Sequence, residues 1–145
     1  VTIRFTTLPK FEMTLKEFSK KTEIALEDVI RKVAFDCFSG VVKRTPVDTG
    51  WARSSWNVAF VNPDTSVPDK PGDGAGEAAA IAKNNEQQSK LYGDLGIDKI
   101  VWITNSLDYV QYLEAGWSKQ AGKGFMVERT LQDVVSELRN IVRGL

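Results

Sequence analysis

The sequence contains no histidine. That removes Ser–His and Cys–His catalysis and every histidine-ligated zinc site. It contains one cysteine, Cys37, so no internal disulfide is available. Cys37 lies within an apolar helical pattern and reads as a reduced core thiol rather than a nucleophile. No apolar run approaches the roughly 20 residues of a membrane span. Residues 1–10 lack the basic-then-apolar layout of a signal peptide. The expectation is a protein made and used in a cytoplasm, or in something assembled there. An excess of either charge is also missing, with 19 basic and 19 acidic residues. This argues against a dedicated nucleic-acid binder and leaves little electrostatic barrier to self-association. What remains is an ordinary globular composition: 145 residues, 42% hydrophobic and 26% charged. That suits a single domain over residues 1–145 with one core.

Val1, Ile3 and Phe5 alternate with Thr2, Arg4 and Thr6, the period of a short half-buried strand. Thr14 and Glu17 have the layout of a capping box. From there Leu15, Phe18, Thr22, Ala25, Val29, Val33, Cys37 and Val41 step by threes and fours toward Lys43. A helix of that length would span about 45 Å. It is either a spine reaching toward a neighbouring subunit or a helix kinked near Thr22 or Gly40. Thr45-Pro46 stops it, because proline disfavours helical geometry in the residue before it. Residues 51–54 suit a short helical stretch, and alternation over residues 56–60 predicts a strand.

Residues 62–76 are dense in Pro, Gly and Asp and predict an exposed loop. Residues 77–92 allow a marginal helix anchored only by Ile81 and Leu91. The whole of 62–99 is expected to be an inserted loop, flexible or ordered by a partner, whose shortening leaves thermal stability nearly unchanged. Residues 100–104 form the clearest strand, apolar enough for cover on both faces. A short helix follows through Tyr109 and Tyr112, with Gly116 as its stop. Residues 117–124 read as a loop and residues 125–142 as a closing helix. Few strands and segregated helices predict an α+β fold. In it a long N-terminal helix and a C-terminal helix pack on a small, mostly antiparallel sheet.

Asp48-Thr49-Gly50 is the triplet of the aspartic-protease loop, where two aspartates share a proton and a short chain supplies both by dimerising. Here it follows Thr-Pro rather than an apolar strand, and Trp51 stands where a small residue belongs. A turn with side-chain capping is the plainer reading; an aspartic-type hydrolase using Asp48 in a dimer is the alternative. The glycines of residues 72–76 lack the flanking strand and Lys or Ser/Thr of a phosphate loop. No Asp/Glu set is framed as a metal site, so no cofactor, metal or catalytic residue is expected. The basic pairs at Lys20-Lys21, Arg31-Lys32 and Lys43-Arg44 face a mildly acidic middle of the chain. They read as a solvated face or as complementary subunit surfaces. Trp56 and Trp102 suit the core. Trp51 and Trp117 lie in loops, where a large aromatic marks a contact surface.

Two blocks carry a family resemblance. Residues 44–56, RTPVDTGWARSSW, follow a long helix. Residues 103–120, ITNSLDYVQYLEAGWSKQ, come later in the same order. Together they resemble the signature segments of a family of tailed-bacteriophage minor structural proteins, the tail-completion or neck proteins that join head to tail. The resemblance implies structural roles for Pro46, Asp48, Thr49, Gly50, Arg53, Tyr109, Tyr112, Glu114 and Gly116. It points to Trp51, Trp117 and Lys119 as subunit contacts.

It further implies a virion protein of the tail or neck, not an enzyme, assembled in the host cytoplasm into a homo-oligomeric ring around the DNA channel. Sixfold symmetry is favoured and twelvefold is possible. The partners would be adjacent neck and tail proteins, with no membrane and at most non-specific proximity to DNA. A tail terminator or head-completion adaptor is the other neck component that fits. Arg53 is expected to bind the carboxylate of Asp48 or Glu114 and tie the two blocks together.

Overall fold

The long apolar stripe breaks after Thr22, one of its two expected kink positions, into two consecutive helices rather than one unbroken spine. The computed structural model describes residues 2–4, 9–47, 49–96, 100–116 and 125–144, with side chains from residue 15 onward. Helix α1 spans Pro9–Thr22 and α2 spans Leu26–Arg44. The first helix begins at Pro9, a position where a missing N–H costs nothing. Thr14 therefore lies inside α1, and the expected capping box does not start it. Between the helices Glu23 takes φ 60°. The break is held by hydroxyls: Thr22 Oγ1 donates to Phe18 O at 2.7 Å and Ser19 Oγ to Ile24 O at 2.6 Å. The first is a back-bond within the last turn of α1, and the second ties the linker carbonyl of Ile24 to that turn.

The architecture is α+β. Strands β1 (Thr2–Arg4), β2 (Trp56–Ala59) and β3 (Trp102–Asn105) form an antiparallel sheet in the order β1-β3-β2. Ile103 pairs with Ile3 on one side and Val58 on the other. Successive strand residues face opposite ways. Ile103, Thr104 and Asn105 are all buried, so both faces of β3 are covered as expected. Helices α3 (Gly76–Ser89), α4 (Val110–Glu114) and α5 (Met126–Arg143) complete the fold. In α5 the residues Met126, Thr130, Val134 and Leu138 recur every fourth position and are buried. The α5 helix packs on α1 and α2. Arg44 at the end of α2 donates to Thr130 Oγ1 at 3.1 Å and pairs with Asp133. Thr130 also lies against Gly40, and farther along α5 the charge of Glu137 acts on Lys32, so α5 runs antiparallel to α2.

The 62–99 segment is not the unpacked insertion that its composition predicts. It contains α3, and its Leu91 and Leu95 are among the largest fully buried side chains. Ile81, expected as an anchor, is 56% exposed. Ala80, Asn84 and Gln87 are the buried residues of α3 instead. Most of the anchoring is polar. The Val58 N–H donates to Gln87 Oε1 at 2.9 Å, and Lys90 Nζ donates to Val58 O at 3.4 Å. These bonds occupy the outer edge of β2, which would otherwise offer unpaired groups to another strand. Lys83 donates to Asn57 Oδ1 at 2.9 Å and Ser54 O at 3.3 Å, and its burial pushes the ammonium pKa down. Arg31 donates to Leu91 O at 2.5 Å and Gly93 O at 3.0 Å, fixing the chain after α3 to α2. Shortening this segment would therefore remove core, contrary to expectation.

Candidate functional site

The first block folds as a staple over the end of α2. Thr45 is extended and fully buried. Its hydroxyl donates to Val41 O at 2.6 Å and accepts from Trp56 Nε1 at 2.9 Å. Arg53 reaches back, donating through Nε to Thr45 O at 3.0 Å and through Nη2 to Lys43 O at 3.2 Å. A cation on the last carbonyls of a helix also complements its dipole. Desolvation lowers the Arg53 pKa, and the charge of Glu77 opposes that shift. Ser54 and Ser55 both donate through Oγ to Trp51 O, closing the turn of residues 51–55.

Gly50 sits at φ 78° with α3 directly against it. A Cβ there would lie 2.3 Å from Gly76 O. A Cβ on Gly76 would in turn lie 2.1 Å from Thr49 O. Two backbones meet with no space for a side chain, and Gly50 also needs a left-handed conformation. Thr49 Oγ1 accepts from Trp51 N at 3.3 Å.

The second block holds the start of α5. Both carboxylate oxygens of Glu114 accept backbone N–H groups from its first turn, Val127 at 2.9 Å and Glu128 at 3.2 Å. Those donors have no partner within the helix, and a negative charge suits a helix N-terminus. Gly116 takes φ 88°, and a Cβ on it would meet the Phe125 ring at 2.3 Å. The Phe125 N–H donates to Leu113 O at 3.2 Å, and Arg129 lies 5.2 Å above its ring. The Glu-x-Gly unit is therefore a clasp: the carboxylate caps α5, and the bare glycine receives the aromatic ring that precedes it.

The blocks do meet, but not through Arg53 and Glu114. Glu114 is engaged with α5 and Arg53 binds carbonyls, which corrects the expected Arg53–Glu114 pair; the expected Asp48 partner lies outside the described residues. The joining contacts are Asn105 Nδ2 to Ala52 O at 2.9 Å and an edge-on packing of Trp51 against Tyr109, centroids 6.4 Å apart. Trp51 Nε1 also donates to Pro68 O at 2.8 Å. Tyr109 and Tyr112 are 38% and 46% exposed. Pro46 is buried at the staple. Asp48, Trp117 and Lys119 lie outside the described residues. The signal missed in the sequence was Asn105, a buried amide whose Oδ1 also accepts from Leu107 N.

This arrangement spends its polar atoms on the fold. Thr49 and Gly50 rest on the start of α3 rather than at the mouth of an apolar strand loop. Among the described residues no group of His, Cys, Asp and Glu is placed to hold a metal ion. Cys37 is fully buried and its thiol pKa is pushed up by desolvation, which suits the expected inert core thiol. No helix among the described residues is long and apolar enough to cross a membrane.

The family model HK97-gp10-like, "Bacteriophage HK97-gp10, putative tail-component", matches residues 10–116. The match includes the staple and the Glu-x-Gly unit. No curated protein and no solved structure matches the chain.

Proposed function

The chain belongs to the HK97-gp10-like family of phage tail components, and on that premise we propose that it is a non-enzymatic structural protein of the neck or head-proximal tail. Copies close into a ring around the DNA channel, complete the tail and join it to the head. Sixfold symmetry is favoured, with twelvefold as the portal-set alternative. The ring contacts neighbouring neck and tail proteins and assembles in the host cytoplasm. The observation that carries this reading is how the signature residues are used. Thr45, Arg53, Asn105 and Glu114 each hold backbone or a buried ring of their own chain. They build a rigid body rather than presenting reactive groups to a cleft.

Deleting the coding sequence from the phage tests this reading. The expected lysate contains filled heads and tails that are not joined. A lysate of joined, infectious particles would contradict it. Asp48→Asn separates the enzymatic alternative, because a turn residue tolerates the change with near-normal titre, whereas a catalytic carboxylate does not.

A further inference from the structure

One helix-lined cleft among the described residues is largely charged. It lies between α1 and α5, has a volume of about 300 Å³, and is lined by Glu17, Lys21, Arg139, Val142 and Arg143. Lys21 pairs with Glu17 at 3.4 Å. Arg139 and Arg143 are exposed and have no ion pair among the described residues. Lys20 stands exposed beside Lys21, so the cleft and its rim carry a net positive charge.

The turn at residues 69–74 carries the opposite net charge. Asp69 and Asp73 are exposed, with Lys70 between them and Glu77 just beyond. Gly72 and Gly74 flank Asp73, and nothing lies within 4 Å of where their Cβ atoms would be. The tip is therefore narrow, because its flanking residues have no side chains, and its inner side bounds a cleft of about 340 Å³ with Val47 and Thr49. It follows Pro68, which Trp51 anchors, and precedes Gly76, which is clamped on Gly50. A narrow, exposed tip on a fixed base is a knob.

Knob and cleft sit at opposite ends of α2. The staple at Lys43 and Thr45 places residues 49–77 at its C-terminal end. The antiparallel run of α5 from Arg44 places Arg139 and Arg143 toward its N-terminal end. The 19 residues of α2 run about 28 Å. That is several times the roughly 8 Å screening length at physiological salt, so the two poles do not neutralise each other within one chain.

We infer that the acidic turn at residues 69–74 of one copy seats in the α1–α5 cleft of the next, with Asp69 and Asp73 facing Lys21, Arg139 and Arg143. The partner is a second copy because one chain carries both halves of the match. The halves occupy different surfaces, so the contact is heterologous and closes by rotation into a ring or extends as a stack. This rests on the reading of the chain as a self-assembling tail component and names the surfaces that reading requires.

Paired cysteines test it. Cys37 is fully buried and gives no background. Full-length chains carrying Asp73→Cys and Arg143→Cys together, assembled into particles, should form a ladder of cross-linked oligomers with a short bismaleimide. Either substitution alone should give none. Absence of the ladder, or dimers from Asp73→Cys alone, overturns the contact.

Charge reversal supplies a second readout on soluble protein. The pair Arg139→Glu with Arg143→Glu, and separately Asp69→Lys with Asp73→Lys, should each weaken self-association about tenfold. Mixing the two variants should restore it, because each reversed knob then meets a reversed cleft. Unchanged association in either variant counts against the contact. Mass spectrometry of wild-type virions separates this from the parent reading. A protein present in virions without the cross-link removes only the interface. A protein absent from virions removes the tail assignment.

Discussion

Gly50→Ala and Gly74→Ala form a matched pair of perturbations. Both glycines have positive φ, 78° and 74°. Both substitutions therefore incur the same left-handed cost of about 1–2 kcal/mol. They differ in what the new methyl meets. At Gly74 nothing lies within 4 Å, whereas at Gly50 it meets Gly76 O at 2.3 Å, Gly76 C at 2.5 Å and Gly76 Cα at 2.6 Å. These are backbone atoms at the start of α3, so no rotamer change relieves the clash. Overpacking of this kind costs about 1–3 kcal/mol.

The expectation is about 1–2 kcal/mol lost for Gly74→Ala and about 2–5 kcal/mol for Gly50→Ala. The difference corresponds to roughly 3–10 °C in Tm for a domain of this size. Urea unfolding followed by the fluorescence of buried Trp56 measures both, and equal slopes would show that the unfolded reference is unchanged. Equal losses for the two variants would refute the claim that the signature glycine is fixed by contact with α3.

Arg53→Ala should destabilise by about 1–2 kcal/mol, with Arg53→Lys in between, because a single ammonium does not reproduce the forked donor at the α2 terminus; thermal melts check the order, and equal Lys and wild-type stabilities would contradict it. Leu91→Ala should cost about 2–5 kcal/mol, and a loss under about 1 kcal/mol would return residues 62–99 to the status of a dispensable loop. Ser66 donates to Asp64 through both N and Oγ and holds the Asp64 carboxyl below its ordinary value. A depressed carboxylate contributes stability that is fully present above its unfolded value and lost as pH falls through its folded one. Asp64→Asn should therefore lower stability near neutral pH and flatten its decline in acid, and an unaltered acid limb in urea titrations would contradict the assignment.

The parts of the fold that depend on local chemistry were legible in the sequence. Thr45-Pro46 ends α2 after Arg44, Gly116 takes the left-handed stop after α4, and α5 begins within a residue of its expected start. The break at Glu23 was legible only as one of two kink positions, near Thr22 or Gly40, because neither Gly nor Pro marks it. It is held by the hydroxyls of Ser19 and Thr22, residues that serve equally well inside a helix. The packing of α3 was hidden for a different reason. Its contacts are made by Gln87 and Lys83, with Lys90 just beyond its end, polar residues whose placement follows from the distant β2 rather than from any periodicity. At the site, the Asp-Thr-Gly turn and Glu-x-Gly unit stood out as residues, yet their partners did not. Arg53 finds carbonyls eight and ten positions back, and Glu114 finds N–H groups 13 and 14 positions on. Acceptors and donors of the main chain carry no sequence signature.

The central claim is a ring of this protein at the head-proximal end of the tail. An averaged electron-microscopy image of the neck of purified virions, carrying a small folded tag fused to this chain, tests it most directly. The expected result is a closed ring of tag densities around the DNA channel between portal and tail tube. A single tag density per virion, or density at the tail tip or on the capsid shell, would contradict it.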